Sequence, residues 1–208
     1  MSGVVLLDNQ DSFVYNLVDA MRQFDATVYR NTVPAELILA TEPDLIVLSP
    51  GPGYPVEAGS MMDLIAAAQG RIPILGICLG FQALVEHFGG HVQPCGPVHG
   101  QQIGMQLDEA GIASGLFDGL TSDDTPGTPG RTVPVARYHS RGTVDLPDGL
   151  HSLARTQTRL GDVVMAARSD DRMSIGLQFH PESILTPAGP QLLERCVEHL
   201  LQKGRDNG

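Results

Sequence analysis

The sequence predicts an α/β fold: an open, mostly parallel twisted sheet with helices on both faces, plus a small antiparallel β portion. Three observations predict it. Through about residue 90, short apolar runs alternate with stretches whose apolar residues recur at helical spacing, as in a parallel sheet with crossover helices. Two of those runs end in glycine-rich turns, at the sheet edge where such folds take ligands. After Gly89-Gly90 the chain changes to short alternating runs rich in glycine and proline, which suit antiparallel strands.

In chain order, residues 4–7, 27–29, 45–48 and 72–77 are the strands of the first half, and 12–23, 34–40 and 58–69 the helices between them, with Pro34 suited to a first helical turn. Residues 81–88 form a further helix, broken by Gly89-Gly90. Residues 101–107 and 133–138 alternate as strands. The segment 121–131, TSDDTPGTPGR, has no apolar anchor and is expected to be a mobile surface loop. Residues 163–167 and 174–179 form another strand pair and 189–203 a closing helix. No repeat or linker interrupts the chain, so 1–208 is expected to be a single domain.

A hydrophobic fraction of 42% in 208 residues is that of a globular chain with a sizeable core. The formal charge of -11, with no offsetting basic cluster, argues against nucleic acid and anionic membranes as partners. The N-terminus has no basic flank and no apolar run is long enough to span a bilayer, so a cytoplasmic location is expected. Cys78, Cys95 and Cys196 are widely spaced and lack Cys-x-x-Cys pairing, which argues against a disulfide framework or a zinc site. His87, His91 and His99 make no metal site either, because Gly89-Gly90 breaks the helix that would align the first two.

Three segments carry chemistry. Gly76-Ile77-Cys78-Leu79-Gly80 follows an apolar strand and precedes a helix, the arrangement of a nucleophile elbow. Small residues on either side let the chain turn sharply, the helix N-terminus favours a thiolate, and the Leu79 N–H is placed for an oxyanion. The plainer alternative is a small buried cysteine in a tight turn, the fate assigned to Cys196. The second segment, Ser49-Pro50-Gly51-Pro52-Gly53-Tyr54-Pro55, ends the strand at 45–48 on the same sheet edge. Its prolines stiffen it and its glycines admit close approach of a ligand; Gly53, unlike Pro52, has an N–H to serve as the second oxyanion donor. The third, Gln178-Phe179-His180-Pro181-Glu182-Ser183, ends a strand-like run. Pro181 biases His180 to extended geometry, so His180 and Glu182 face the same way, as base and orienting carboxylate for Cys78.

These segments, together with DNQDSFVYNL at 8–17, SPGPGYPVEAG at 49–59, GICLGFQALVEHFGG at 76–90, VHG at 98–100, ARYHS at 136–140 and QFHPESILT at 178–186, give the chain a resemblance to class I (triad) glutamine amidotransferases, and within them to the glutaminase subunits of anthranilate synthase. The resemblance runs nearly end to end and implies a flavodoxin-like fold. It implies a Cys78, His180 and Glu182 triad, an oxyanion hole at Gly53 and Leu79, and glutamine contacts from Gly51, Pro52, Gly53, Gln82 and the Ser140-Arg141 backbone. No cofactor or metal is implied. The implied partner is a larger chorismate-using synthase subunit (component I), which takes ammonia to make anthranilate in tryptophan biosynthesis.

Two positions depart from the family pattern. Phe81 stands where relatives commonly carry histidine, and is expected to alter packing or the partner-facing surface rather than the reaction. Arg141 stands where leucine is common; because backbone groups are thought to act there, the side chain is expected to matter little. The alternatives are the sister glutaminase of folate synthesis, whose motifs are almost the same, a stand-alone cysteine hydrolase of this fold, and a non-catalytic binding subunit. The Val56-Glu57-Ala58-Gly59 stretch leans toward the tryptophan enzyme, and the intact triad set argues against loss of catalysis.

Overall fold

The computed structural model describes residues 3–12, 14–96, 98 and 100–207. In chain order the strands are Val4–Asp8 (β1), Thr27–Arg30 (β2), Leu45–Leu48 (β3), Ile74–Ile77 (β4), Gln93–Pro94 (β5), Gln101–Leu107 (β6), Thr132–Arg137 (β7), Arg141–Gly142 (β8), Leu150–Gln157 (β9), Asp162–Ser169 (β10) and Ser174–Leu177 (β11). The helices are Val14–Ala20 (α1), Ala35–Leu39 (α2), Met61–Ala68 (α3), Leu79–His87 (α4), Glu109–Ala113 (α5) and Gly189–Asn207 (α6).

The apolar runs of the first half become strands because each face has a helix layer to bury against. Neighbouring strand residues point to opposite faces. Thus Val4, Leu6, Leu45, Val47, Leu75 and Ile77 pack with Leu17 of α1 and Leu193 and Val197 of α6. Val5, Leu7, Ile46, Leu48 and Ile74 pack with Ile38 of α2, Leu64 and Ile65 of α3 and Leu84 of α4 on the other side. The nine-stranded sheet has the order β2-β1-β3-β4-β11-β10-β9-β6-β7. Its first five strands pair in parallel and the rest extend it antiparallel, while β5 and β8 form a small antiparallel pair. The fold is therefore the expected mixed α/β sheet flanked by helices.

Several boundaries move for local reasons. The strand expected at 72–77 starts at Ile74, since Pro73 has no N–H and contributes only its carbonyl, to the Ile46 N–H at 3.0 Å. Of the helix expected at 12–23, Val14–Ala20 is α-helical and Arg22–Phe24 a single 3-10 turn that ends on Asp25 in the left-handed region; Phe13 lies outside the described residues. Strand β9 lacks a clean apolar alternation: Leu153 and Ala154 are both buried, and its ladder with β10 is irregular between Val164 and Ala167. The 121–131 segment is tied down by its own acids. The Asp123 carboxylate accepts the Arg131 and Thr132 N–H groups at 2.9 and 2.8 Å, and Asp124 accepts from Gly130 N–H and the Thr121 hydroxyl at 2.8 and 2.7 Å. These bonds, led by Thr132 N–H for Asp123 and Gly130 N–H for Asp124, hold both acids below the usual carboxylate range.

Phe81 is part of the core. Its ring is 1% exposed and packs with Val85, Leu150, Val164 and Ala167. Gly176 of β11 leaves the room, as a Cβ there would overlap the ring. Cys196 is fully buried on α6, and burial pushes its thiol up to about 12, in keeping with a packing role. His99 lies outside the described residues, and among those described no three metal-binding side chains cluster. No described helix is long and apolar enough to cross a membrane. Replacing Phe81 with histidine is expected to lower stability by roughly 1–3 kcal/mol in urea unfolding, because ring nitrogens would be buried in an apolar cluster.

Candidate active site

The elbow is built by steric exclusion. At the end of β4 the chain enters Cys78 with φ 53 and ψ -100, a conformation that costs a side-chain-bearing residue of order 1–3 kcal/mol. It is held by a bond from the Cys78 N–H to the Leu177 carbonyl at 2.7 Å and one from the Gln82 N–H to the Cys78 carbonyl at 3.0 Å. A Cβ on Gly76 would lie 2.6 Å from the Gly80 carbonyl oxygen, and one on Gly80 2.5 Å from that of Leu48. Both positions therefore require glycine. Cys78 is half-buried, and α4 begins directly after it at Leu79, whose N–H is one of the unpaired donors of a helix start.

His180 reaches the elbow through sheet pairing. Ile77 lies opposite Leu177 in the parallel β4/β11 ladder, so the segments that follow both strands emerge at the same edge. The His180 N–H bonds the Ala136 carbonyl at 3.2 Å, and the Thr186 hydroxyl donates to the His180 carbonyl at 2.7 Å while accepting the Ala136 N–H at 2.9 Å. On the side chain, Nδ1 meets Glu182 Oε1 at 2.6 Å, which leaves Nε2 for the hydrogen bond with Cys78. The Tyr138 ring lies edge-on to the imidazole, centroids 4.9 Å apart. Burial alone would depress the imidazolium, but the charge and hydrogen bond of Cys78, then those of Glu182, raise His180 well above the usual histidine value of 6.5. Glu182 itself is nearly inaccessible, and its Oε2 has no partner among the described residues.

Beside these groups lies a cavity of about 450 Å³, within the range of small-molecule sites. Gly51, Pro52, Gly53, Leu79, Gln82, Ser140 and Arg141, all named from sequence, line it with Cys78 and His180. Gly51 is pressed on the β1 end: a Cβ there would lie 2.6 Å from the Asn9 carbonyl oxygen. Asn9 ties the two loops together, its N–H on Ser49 Oγ and its Nδ2 on the Ser49 carbonyl, both at 2.9 Å. Gln82 Nε2 donates to the Arg141 carbonyl and to Gln178 Oε1, each at 3.3 Å.

Sequence reasoning assigned no part in the site to Gln10, Asp11, Ser12 or Tyr138, which also line the cavity. Their signal was position, since they follow the ends of β1 and β7 within quoted segments. His139 both shapes the pocket and packs. It is buried and lines the cavity, and its Nδ1 donates to the Arg141 carbonyl at 2.7 Å. Burial, only partly countered by that bond, lowers it to about 3. Cys95 lies outside the cavity lining, 3.3 Å from Arg137 Nη2, with its thiol pushed up by burial.

A thiol on an elbow, an imidazole held by a buried carboxylate and backbone donors around one cavity equip the site for acyl transfer through a covalent intermediate. The family profile of class-I glutamine amidotransferases matches residues 5–200, and the chain belongs to that family of enzymes. It is 60% identical over 206 residues to anthranilate synthase component 2 of Corynebacterium glutamicum, covering 97% of this chain and 99% of that protein. It is 40% identical to the protein of the same name from Vibrio parahaemolyticus, over 98% of each. A pyocyanine-specific anthranilate synthase component 2 of Pseudomonas aeruginosa is 42% identical over 93% of this chain and 92% of its own. Among solved structures, a Thermoplasma acidophilum protein assigned to GMP synthase superposes with a TM-score of 0.79 at 22% identity, covering 99% and 96% of the two chains. A glutamine amidotransferase from Methylobacillus flagellatus superposes at 0.65 with 16% identity, covering 99% and 94%. Both show the shared fold.

The two buried histidines act on stability with opposite signs. His180 is raised, so its share is complete below about 6.5 and lost as pH rises through its folded value. His139 is depressed, so between 6.5 and about 3 the unfolded chain takes up a proton that the folded chain refuses, and stability falls as pH falls. Compared by urea unfolding, native protein is expected to lose stability more steeply than His139→Gln as pH drops from 6.5 toward about 4.5, by at most about 1.4 kcal/mol per unit. Parallel curves would rule out a neutral buried His139.

Proposed function

We propose that the chain is the glutaminase component of an anthranilate synthase, acting as one amidotransferase unit over residues 1–208 in the cytoplasm. It hydrolyses glutamine and delivers ammonia to a chorismate-using component I for tryptophan biosynthesis. The observation that carries this reading is the end-to-end 60% identity to a component 2. The grouping of Cys78, His180 and Glu182 beside one cavity supports it.

In this mechanism the Cys78 thiolate attacks the side-chain amide carbon of glutamine. The N–H groups of Gly53 and Leu79 receive the oxyanion; a donor of this kind typically lowers the barrier by about 3–4 kcal/mol. The imidazolium of His180 gives its proton to the departing ammonia. Neutral His180 then takes a proton from water, which hydrolyses the glutamyl thioester through a second oxyanion in the same hole, and glutamate leaves. Glu182 holds the imidazole in the tautomer that presents Nε2 to sulfur. Gly51, Pro52 and Gln82 contact the bound glutamine, and the Ser140-Arg141 backbone holds its α-amino and carboxylate end. The half-reaction needs no cofactor.

Glutamate release from glutamine, assayed with and without component I plus chorismate, tests the reading. Release is expected to rise with the partner and to vanish in Cys78→Ser. Absence of any Cys78-dependent release under both conditions would sink it. In the same assay Glu182→Gln is expected to lower kcat by roughly 10²- to 10⁴-fold.

A further inference from the structure

His180 is held by the strand that ends the sheet. In the sheet order β7 lies at the edge, and its Ala136 turns both backbone groups toward the segment that follows β11. The Ala136 carbonyl accepts the His180 N–H at 3.2 Å, and the Ala136 N–H donates to Thr186 Oγ1 at 2.9 Å. The Thr186 hydroxyl in turn donates to the His180 carbonyl at 2.7 Å, which closes a ring of hydrogen bonds through three residues. Two successive turns bring the hydroxyl back to that carbonyl, Ser183 N–H on His180 O at 3.3 Å and Thr186 N–H on Ser183 O at 2.9 Å. Thr186 is 2% exposed, so solvent does not compete for these groups.

The ring bears on the imidazole because the N–H and C=O of one residue are separated by its two soft dihedrals. Turning either φ or ψ of His180 moves its carbonyl relative to its N–H, and with both bonded into one ring either rotation must break a bond. The positions of N, Cα and C set the direction of the Cα–Cβ bond. Beyond Cβ, the ring is steadied by Glu182 Oε1 at 2.6 Å from Nδ1 and by the edge of the Tyr138 ring, centroids 4.9 Å apart. Those two contacts aim the imidazole only while Cβ stays in place. A tilt at Cα swings Nε2, at the far end of the ring, through a larger arc than any backbone atom.

We infer that Thr186 is a positioning residue for the acid–base histidine: its hydroxyl locks the His180 backbone to Ala136 so that Nε2 stays within hydrogen-bonding reach of Cys78. The inference rests on the glutaminase reading above. It extends that reading to a side chain outside both the Cys78, His180 and Glu182 set and the lining of the cavity.

Steady-state glutamate release with component I and chorismate tests it, for native chain, Thr186→Val, Thr186→Ala and Thr186→Ser. The rate of iodoacetamide alkylation of the free chain at neutral pH is followed by mass, with urea unfolding of each variant. Cys95 and Cys196 are buried and burial raises both thiols, so the label reports Cys78. Loss of the hydroxyl in Thr186→Val or Thr186→Ala is expected to lower kcat by roughly 10- to 100-fold, the upper figure being what about 1 Å of misplacement can cost, with KM changed by less than about threefold. Alkylation should slow by about fivefold or more in both, because the thiolate loses its imidazolium partner. Thr186→Ser keeps the hydroxyl and is expected to stay within about threefold of native in kcat and alkylation. Should valine prevent folding, alanine and serine decide the comparison. Lower stability with native kcat and alkylation would make Thr186 purely structural and overturn the inference. A loss confined to KM, a fall in kcat with native alkylation, or a Thr186→Ser as slow as Thr186→Ala would overturn it too. A native chain without Cys78-dependent release would remove the glutaminase reading and this inference with it, whereas an active native chain beside a fully active Thr186→Ala removes the inference only.

Discussion

The parallel pairing of β4 with β11 is the constraint on which the rest of the site depends. Its register sets Gly76 beside Gly176 and Ile77 beside Leu177. The first residue past each strand then inherits a fixed place: the Cys78 N–H bonds the Leu177 carbonyl, and the chain beyond Leu177 brings His180 to hydrogen-bonding distance of the Cys78 side chain. A slip of one residue would turn every side chain of β11 to the opposite face and separate the pair. Burial makes such a slip costly, because Ile175 and Leu177 are enclosed on one face and Gly176 lies against the Phe81 ring on the other.

The same pairing explains the glycines and Phe81. Where β4 and β11 run side by side under α4, Gly76 and Gly176 admit the helix and the Phe81 ring closely. The ring fills the space above Gly176 and carries contact outward to Val164 and Ala167 of β10. Packing at this interior is dense enough that each volume must be matched by a neighbour. Phe81 is thus a core residue of α4, while the cavity side of the helix presents Gln82 and Leu79.

Around Cys78, the cavity is assembled from loops that would be loose alone. Asn9 fastens the β1 end to Ser49, Gln82 and His139 converge on the Arg141 carbonyl, and the Arg141 side chain closes on Gly53 and Tyr54. All but the His139 bond join segments far apart in the chain, so the loops' entropy is reduced by long-range bonds rather than by local turn chemistry alone. Thr186 does the same for His180, occupying its carbonyl and Ala136 together.

Much of this was legible in the amino-acid order because it is governed by local sterics. The alternation of apolar runs and helical spacing specified the parallel half of the sheet. Gly76-x-Cys78-x-Gly80 specified the elbow, and the i, i+2 spacing across Pro181 specified that the His180 and Glu182 side chains meet. What eluded the sequence depends on partners distant along the chain. Strand β9 buries Leu153 and Ala154 in succession because its ladder with β10 is irregular there, so no alternation announced it. The 121–131 segment is polar in composition yet ordered, because Asp123 and Asp124 spend their carboxylates on its own backbone. The depressed His139, the buried setting of Cys95 and the reach of Arg141 over Gly53 follow from burial and direction in space. Short-range geometry is written in the chain; which face a side chain presents, and to whom, is decided only when the sheet closes its two halves together.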